Sequence, residues 1–368
     1  MHYHIILTEL CNKQCRYCYE KSMKIEEFGK SNLEFDEKAP FKSEIDIDEL
    51  NRFLKNGDVL IFYGGEPLLE IEKIKKIIDK IKNKVKYRIQ TNGMLLHEID
   101  SSYLNKIGKL LVSIDGNKER TDFNRGEETY DKIIENINLA RKKDYAGEIV
   151  ARMTISDSLD FYKQVLHLTG LIDKGLFNSI HWQLDAGFFK SDFNEKKFSR
   201  FVEEYNKQVS KLINWWIDRL KERKFYLLYP FVGITNSLLN NKKTKMRCGA
   251  GHSGFAITTN GMISACPVTN GVKTFYVGSI KKQKINEMGI KGSCLKCGYL
   301  DLCGGRCLYQ NYSEFWPEKG RALICKTVRH LIDELREKIP KIKEMINKGI
   351  IRKDDFEYEK YFGPEIIP

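Results

Sequence analysis

The 368-residue chain contains no run of eighteen apolar residues, so nothing in it reads as a membrane-spanning helix and no membrane partner is expected. Its first residues, Met1-His2-Tyr3-His4-Ile5-Ile6-Leu7-Thr8-Glu9, lack the basic region, long apolar core and small-residue cleavage site of a secretory signal, which points to the cytoplasm. Internal repeats and low-complexity tracts are missing as well, which excludes a solenoid or a linker-rich assembly. Cysteine is absent from residues 19 to 247. All ten cysteines lie outside that stretch, three between 11 and 18 and seven between 248 and 325. In a reducing compartment such a distribution is not a disulfide framework. It reads as two metal-binding regions flanking a cysteine-free body.

What is present fits an ordinary globular chain, with 42% hydrophobic and 30% charged residues and length enough for two or three domains. The net charge of +12 suits an acidic partner such as an acidic peptide, a nucleotide or RNA. The lysines are dispersed, however (Lys73, Lys75, Lys76, Lys80, Lys82, Lys84 and Lys86 within one helix-like stretch), as on a solvated face. No basic–aromatic platform accompanies them, so nucleic acid is a weak expectation.

Strand-like and helix-like segments alternate through the first half. His4 to Leu7 reads as a strand, Ser22 to Ser43 as a loop or lid, and Asp46 to Asn56 as a helix opened by Asp46 or Asp48. Strands follow at Val59–Tyr63, Tyr87–Gln90, Leu110–Ile114, Glu148–Ile155 and Ser179–Leu184, with helices at Ile71–Val85, Tyr130–Lys142 and between the last two strands. Such alternation makes βαβ units on a parallel sheet, and six units are too few to close an eight-stranded barrel. An incomplete (β/α)6, TIM-like barrel over residues 1–190 is the expectation. Beyond it come a helical bridge over 191–245 with Trp215 and Trp216 as packing residues and a cysteine-rich α+β domain over 246–330. A helix from Thr327 to Lys348 interrupted near Pro340 and a polar tail complete the chain, the last domain being 331–368. Functional groups of such folds collect at strand C-termini. The cysteine loop, Gly64-Gly65-Glu66-Pro67, Thr91-Asn92-Gly93 and Ser113-Ile114-Asp115-Gly116 all fall there.

The stretch Cys11-Asn12-Lys13-Gln14-Cys15-Arg16-Tyr17-Cys18 sets three thiols in one loop after a strand. Three thiols can converge on one face of an iron–sulfur cluster, and a cluster that takes four ligands is then left with one open iron. Half of a zinc site or free buried thiols are the alternatives. Gly64-Gly65-Glu66-Pro67 alone is a turn with a solvated acid. The second group runs Cys248, Cys266, Cys294-x2-Cys297-x5-Cys303-x3-Cys307, Cys325. Taken alone, its Cx2C and Cx3C pairs also suit a zinc ribbon.

Together these motifs resemble those of radical S-adenosylmethionine (SAM) enzymes: Cx3Cx2C with an aromatic residue, Tyr17, before its last cysteine, then Gly-Gly-Glu one βα unit later. The resemblance implies a 4Fe–4S cluster on Cys11, Cys15 and Cys18, with SAM on the open iron. Gly64 and Gly65 would let the backbone approach the methionyl ammonium, and Glu66 would offer it a carboxylate. Asn92 and Ser113 would lie near the SAM carboxylate or ribose, and Arg125 and Arg152 would be partners of that carboxylate. The second group resembles the seven-cysteine SPASM pattern of radical SAM enzymes that modify peptides and proteins. It implies two auxiliary 4Fe–4S clusters, one on Cys294, Cys297, Cys303 and Cys325, the other on Cys248, Cys266 and Cys307. Sulfatase-maturing relatives carry an eighth cysteine soon after the first. Here Gly249-Ala250-Gly251-His252-Ser253 has none, which leaves an open iron or a ligand role for His252. They also carry an acid after the equivalent of Cys266, where this chain has Pro267. Formylglycine formation is thus disfavoured, and Asp115 or Asp185 is left as the base, Asp115 being counted with the catalytic cysteines.

The implied activity is reductive cleavage of SAM to a 5′-deoxyadenosyl radical, followed by oxidative modification of a peptide or protein: a crosslink, a thioether or a desaturation. The resemblance extends to archaeal peptide-modifying SPASM proteins. A low-potential donor such as ferredoxin or flavodoxin would supply the electron. With the cysteine loop beginning at residue 11, no N-terminal peptide-binding domain is expected, and recognition falls to a separate protein or to the enzyme's own surface. Oxidation or decarboxylation of a small molecule in cofactor or haem biosynthesis is the second reading. An RNA-binding or RNA-modifying iron–sulfur protein is the third.

Overall fold

The computed structural model describes residues 1–18, 33–157, 160–363 and 367–368. Residues 22–32 of the expected loop or lid, and Pro364 of the tail, lie outside the described residues. Strands β1 (His2–Ile6), β2 (Val59–Tyr63), β3 (Lys86–Thr91), β4 (Ile107–Ser113), β5 (Glu148–Ile155), β6 (Ser179–Leu184) and β7 (Leu227–Leu228) lie side by side and parallel. Helices α1 (Ile47–Phe53), α2 (Ile71–Lys80), α3 (Lys118–Arg125), α4 (Thr129–Lys142) and α5 (Phe161–Asp173) connect them. This is the sheet of a partial (β/α)6 barrel.

Local chemistry accounts for the elements. Every residue of β2, Val-Leu-Ile-Phe-Tyr, is buried, as befits a strand covered on both faces. Asp46 caps α1 by accepting from the backbone N–H groups of Asp48 and Glu49. Helix α2 buries Ile74, Ile77 and Ile78 on one stripe. It ends at Lys80, short of the expected Val85. Asn83 donates there to the carbonyls of Asn51 and Leu54, which turns the chain toward β3 instead of prolonging the helix.

The second half departs further from the sequence expectation. The helical bridge is two helices, α6 (Glu195–Lys221) and α7 (Tyr229–Leu239), separated by a turn with Arg223 at φ 61° and by β7. Pro230 sits in the first turn of α7, where a missing N–H costs nothing. Trp216 is fully buried and Trp215 lies against Tyr226, the two rings tilted by 30°. Helix α8 (Glu318–Asn347) starts nine residues before the expected Thr327 and is not interrupted at Pro340. A proline in a helix costs about 3 kcal/mol. Leu335, Ile342 and Met345, buried to either side of it, each return about 1.5–3 kcal/mol, and α8 packs along α6.

The cysteine-rich region is not built on a sheet of its own. Strand β8 (Gly254–Ile257) pairs in parallel with β1, and β9 (Met262–Ser264), β10 (Tyr276–Ser279) and β11 (Lys284–Ile285) follow antiparallel, so that one sheet runs β11-β10-β9-β8-β1-β2-β3-β4-β5-β6-β7. That continuity brings the second cysteine group beside the first.

Candidate active site

Side chains alternate along a strand, so one face of β1 to β6 is presented to the interior of the partial barrel. At the C-terminal ends of the strands this face borders a cavity with about 1560 Å³ of empty space, part of it open to solvent. Cys11, Cys15, Tyr17 and Cys18 line it, as do Gly64, Gly65, Asn92, Ser113, Arg125 and Arg152. Cys248, Cys266 and Cys307 line the same cavity.

The cysteine loop is held by the Gly64-Gly65 turn. Gly65 N–H donates to the Thr8 carbonyl at 2.8 Å and Glu66 N–H to the Leu10 carbonyl at 2.9 Å. A Cβ on Gly64 (φ +149°) would meet the Thr8 oxygen at 2.2 Å, and one on Gly65 the Leu10 oxygen at 2.4 Å. The glycines are thus demanded by the chain entering the cysteine loop, not only by a ligand. Glu66 does not border the cavity. Its wholly buried carboxylate accepts from Leu68 N–H (2.9 Å), Thr91 Oγ1 (2.7 Å) and Asn92 N–H (2.7 Å), which ties the end of β2 to that of β3. Burial raises its pKa to about 7 against the lowering effect of those three bonds. Asn92 Nδ2 in turn donates to Asn12 Oδ1 at 2.7 Å, inside the cysteine loop.

Asp115 and Arg125 have a different place from the one expected of them. Arg125 donates through Nε (3.0 Å) and Nη2 (2.9 Å) to the Asp115 carboxylate, so this guanidinium already faces a carboxylate of the chain itself. Asp115 also accepts from Asn124 Nδ2, from Thr154 N–H and from the Tyr17 hydroxyl. It is 2% exposed. A carboxylate with five donors around it anchors the cysteine loop through Tyr17 and is poorly disposed to take a substrate proton. Asp185, the other candidate base, does border the cavity at the end of β6. Burial, and then the charge of Asp192, raise its pKa to about 7.

None of the ten cysteines is joined in a disulfide. They fall into three sets by proximity. Burial pushes the Cys11 thiol up to about 11, with Cys15 and Cys18 adding to the effect. Cys266 is raised by burial and then by Cys307 and Cys248. Cys294 is raised by burial and then by Cys325 and Cys297, and Cys303 feels Cys325 as well. This last set lies away from the cavity, on a turn before the short helix Leu300–Cys303, at that helix's end and on α8. Among the described residues no three His, Cys, Asp or Glu side chains converge as a single metal ion requires. A cluster spreads its ligands over separate irons, and an all-thiolate donor set of three, three and four suits iron–sulfur ligation. His252 turns elsewhere: its ring nitrogens face the Met246 carbonyl (3.1 Å) and Ser253 Oγ (2.7 Å), outside the cavity.

Residues 5–157 match the model of the Radical SAM superfamily. The chain carries a radical SAM domain. Its relatives include an uncharacterized protein of Archaeoglobus fulgidus, 23% identical over 95% of this chain and 85% of that one. The radical SAM cyclopropyl synthase TigE of Paramaledivibacter caminithermalis is 22% identical over 83% of this chain and 67% of that one. The solved structure of native anSMEcpe with bound AdoMet and Cp18Cys peptide superposes with a TM-score of 0.64 at 18% identity, over 94% of this chain and 99% of that one. The likeness extends the shared fold well beyond the radical SAM domain.

Among the residues on the cavity wall that no motif announced are His4, Gln183, Phe188 and Gly363. Gln183 lies two residues before the cavity-lining Asp185, so the two-residue strand period was a usable signal there. Phe188 lies in the segment after β6 and Gly363 in the tail, and no local pattern marks either.

Proposed function

We propose that this protein is a radical SAM oxidoreductase with three 4Fe–4S clusters that oxidatively modifies a peptide or protein substrate. One observation carries the reading: Cys11, Cys15 and Cys18 border the same cavity as Cys248, Cys266 and Cys307. When bound, the cluster on Cys11, Cys15 and Cys18 supplies with SAM a carbon radical, and the clusters of the second region take up the electron that the substrate gives away.

The chain's own residues position and exchange protons. Gly64 and Gly65 hold the cysteine loop against the end of β2, and Glu66 braces Asn92 at the cavity wall. Arg152 supplies a fixed cation for the carboxylate of SAM. Asp185, poised at about pH 7, accepts the proton lost as the substrate is oxidised. Cys294, Cys297, Cys303 and Cys325 form the complete ligand set away from the cavity. Cys248, Cys266 and Cys307 form a set of three facing the substrate, with His252 engaged elsewhere. A peptide substrate is supported by the peptide held in the anSMEcpe structure. A ferredoxin or flavodoxin is the fitting electron donor, and a separate protein can deliver the peptide.

Iron and labile sulfide per chain, measured after anaerobic reconstitution, test this directly. About twelve irons in the native chain and about eight in the Cys11/Cys15/Cys18→Ala variant are the result expected of three 4Fe–4S clusters. About four irons together with bound zinc would remove the auxiliary clusters, and with them the oxidative outcome.

A further inference from the structure

The inner face of the partial barrel below the cavity is covered by the end of the chain. Val59, Ile61, Leu111 and Val150 present an apolar surface there, and Phe362 packs on it fully buried, beside Tyr229. Three residues earlier, Glu359 is held by Arg88 Nη2 at 2.9 Å, by Lys109 Nζ at 3.1 Å and by the His2 ring at 3.9 Å. Lys109 Nζ also lies 4.5 Å over the Phe362 ring. One anchor is ionic and the next apolar, and together they deliver Gly363 to the cavity wall. There its carbonyl accepts from Arg152 Nη1 at 2.9 Å, while Arg152 Nη2 donates to Gln183 Oε1 at 2.9 Å. A planar guanidinium held at two corners has a single orientation.

We propose that the segment 357–363 is a positioning element of the reaction chamber: it closes the barrel from below and, through the Gly363 carbonyl, orients Arg152 to receive the carboxylate of SAM. The proposal rests on the radical SAM reading above and adds to it a part that lies outside both cysteine regions. Its consequence is selective. Loss of the tail weakens ligands that carry the carboxylate most, because the Gly363 carbonyl reaches the site through its bond from Arg152.

The test compares SAM with decarboxylated SAM by anaerobic equilibrium dialysis against the iron-loaded full chain, a chain ending at Phe356, and the full-length variants Phe362→Ala and Glu359→Gln. Iron content and melting curves are recorded for each. A lost charge-assisted hydrogen bond corresponds to about tenfold or more in affinity. The expected result is a fall of that size for SAM in the shortened chain and in Phe362→Ala, a smaller fall in Glu359→Gln, and less than about a twofold change for decarboxylated SAM. Equal losses for both ligands would make the tail a support of the fold alone and overturn the proposal, as would no loss for either. If the shortened chain does not fold, the two point variants decide. If the native, iron-loaded chain binds neither ligand, it is the radical SAM reading that fails, and this proposal falls with it.

Discussion

Cys11, Cys15 and Cys18 come from one eight-residue loop, whereas the second region gathers its cysteines from loops, the ends of short helices and the 30-residue helix α8, between residues 248 and 325. The loop is held from outside, by Gly64-Gly65 beneath it and by Tyr17 on Asp115. The second region has segments that touch through their cysteines as well as through apolar packing. The charges around the two also differ. Glu66 adds to the raised pKa of Cys11, whereas Arg306, Arg329 and Arg321 work against it at Cys325.

The largest effect comes from removing ligands on each side. The Cys11/Cys15/Cys18→Ala variant is expected to make no detectable 5′-deoxyadenosine while its melting temperature stays within about 3 °C of the native chain, since the loop is braced from outside. Cys297→Ala combined with Cys303→Ala is expected to lower the melting temperature by about 5 °C or more, because the cluster proposed there would join separate segments. Equal thermal effects in the two would break the comparison. Next comes Asp185→Asn, expected to reduce product formation about a hundredfold while SAM cleavage is retained. If Asp185 is the base, as proposed, its pKa of about 7 lets it accept a proton only above that, so product formation by the native chain should rise as pH passes about 7.

Gly65→Ala sharpens the account of the loop. Its Cβ meets backbone oxygens of Leu10 at 2.4 Å and of Glu9 at 2.6 Å, neither of which can move without shifting Cys11. A cost of about 1–3 kcal/mol is expected, with iron lost from the N-terminal site before the others, readable by iron analysis and calorimetry. The smallest effect belongs to Glu359. Burial would raise its carboxyl, but the nearby His2 ring, the bonds from Arg88 and the charge of Lys109 bring it down to about 2. The folded protein therefore holds this proton less tightly than the unfolded chain. Its contribution is complete above about pH 4.5 and is lost as pH falls toward about 2. Glu359→Gln should flatten that part of a stability–pH profile and leave the rest unchanged.

Much of this was legible before any fold was known. The βα alternation, the strands at 59–63, 148–155 and 179–184, and the cysteine spacings are local patterns set by side-chain period and turn chemistry, and such signals lie within a few residues of one another. Helix ends were less legible, because Asn83 and the packing around Pro340 act from elsewhere in the chain. The site was legible where a motif stood at a strand end, as at Cys11–Cys18 and Gly64–Glu66. Spacing could nominate both Asp115 and Asp185 as the base but could not separate them. The difference is made by Arg125, Asn124, Thr154 and Tyr17, which surround the first and leave the second on the cavity wall.

By itself, then, the sequence determined that the chain holds a parallel α/β sheet, where its strand ends fall and which thiols stand close together along the chain. Only the tertiary structure decided that both cysteine regions share one sheet and one cavity, that Glu66 braces and does not line the site, and that the tail runs beneath Arg152. The reason is range. Periodicity and turns express energies between neighbours in sequence, whereas the pairing of β8 with β1 and the seating of Phe362 join residues more than two hundred positions apart, and only burial in the folded chain makes those contacts favourable.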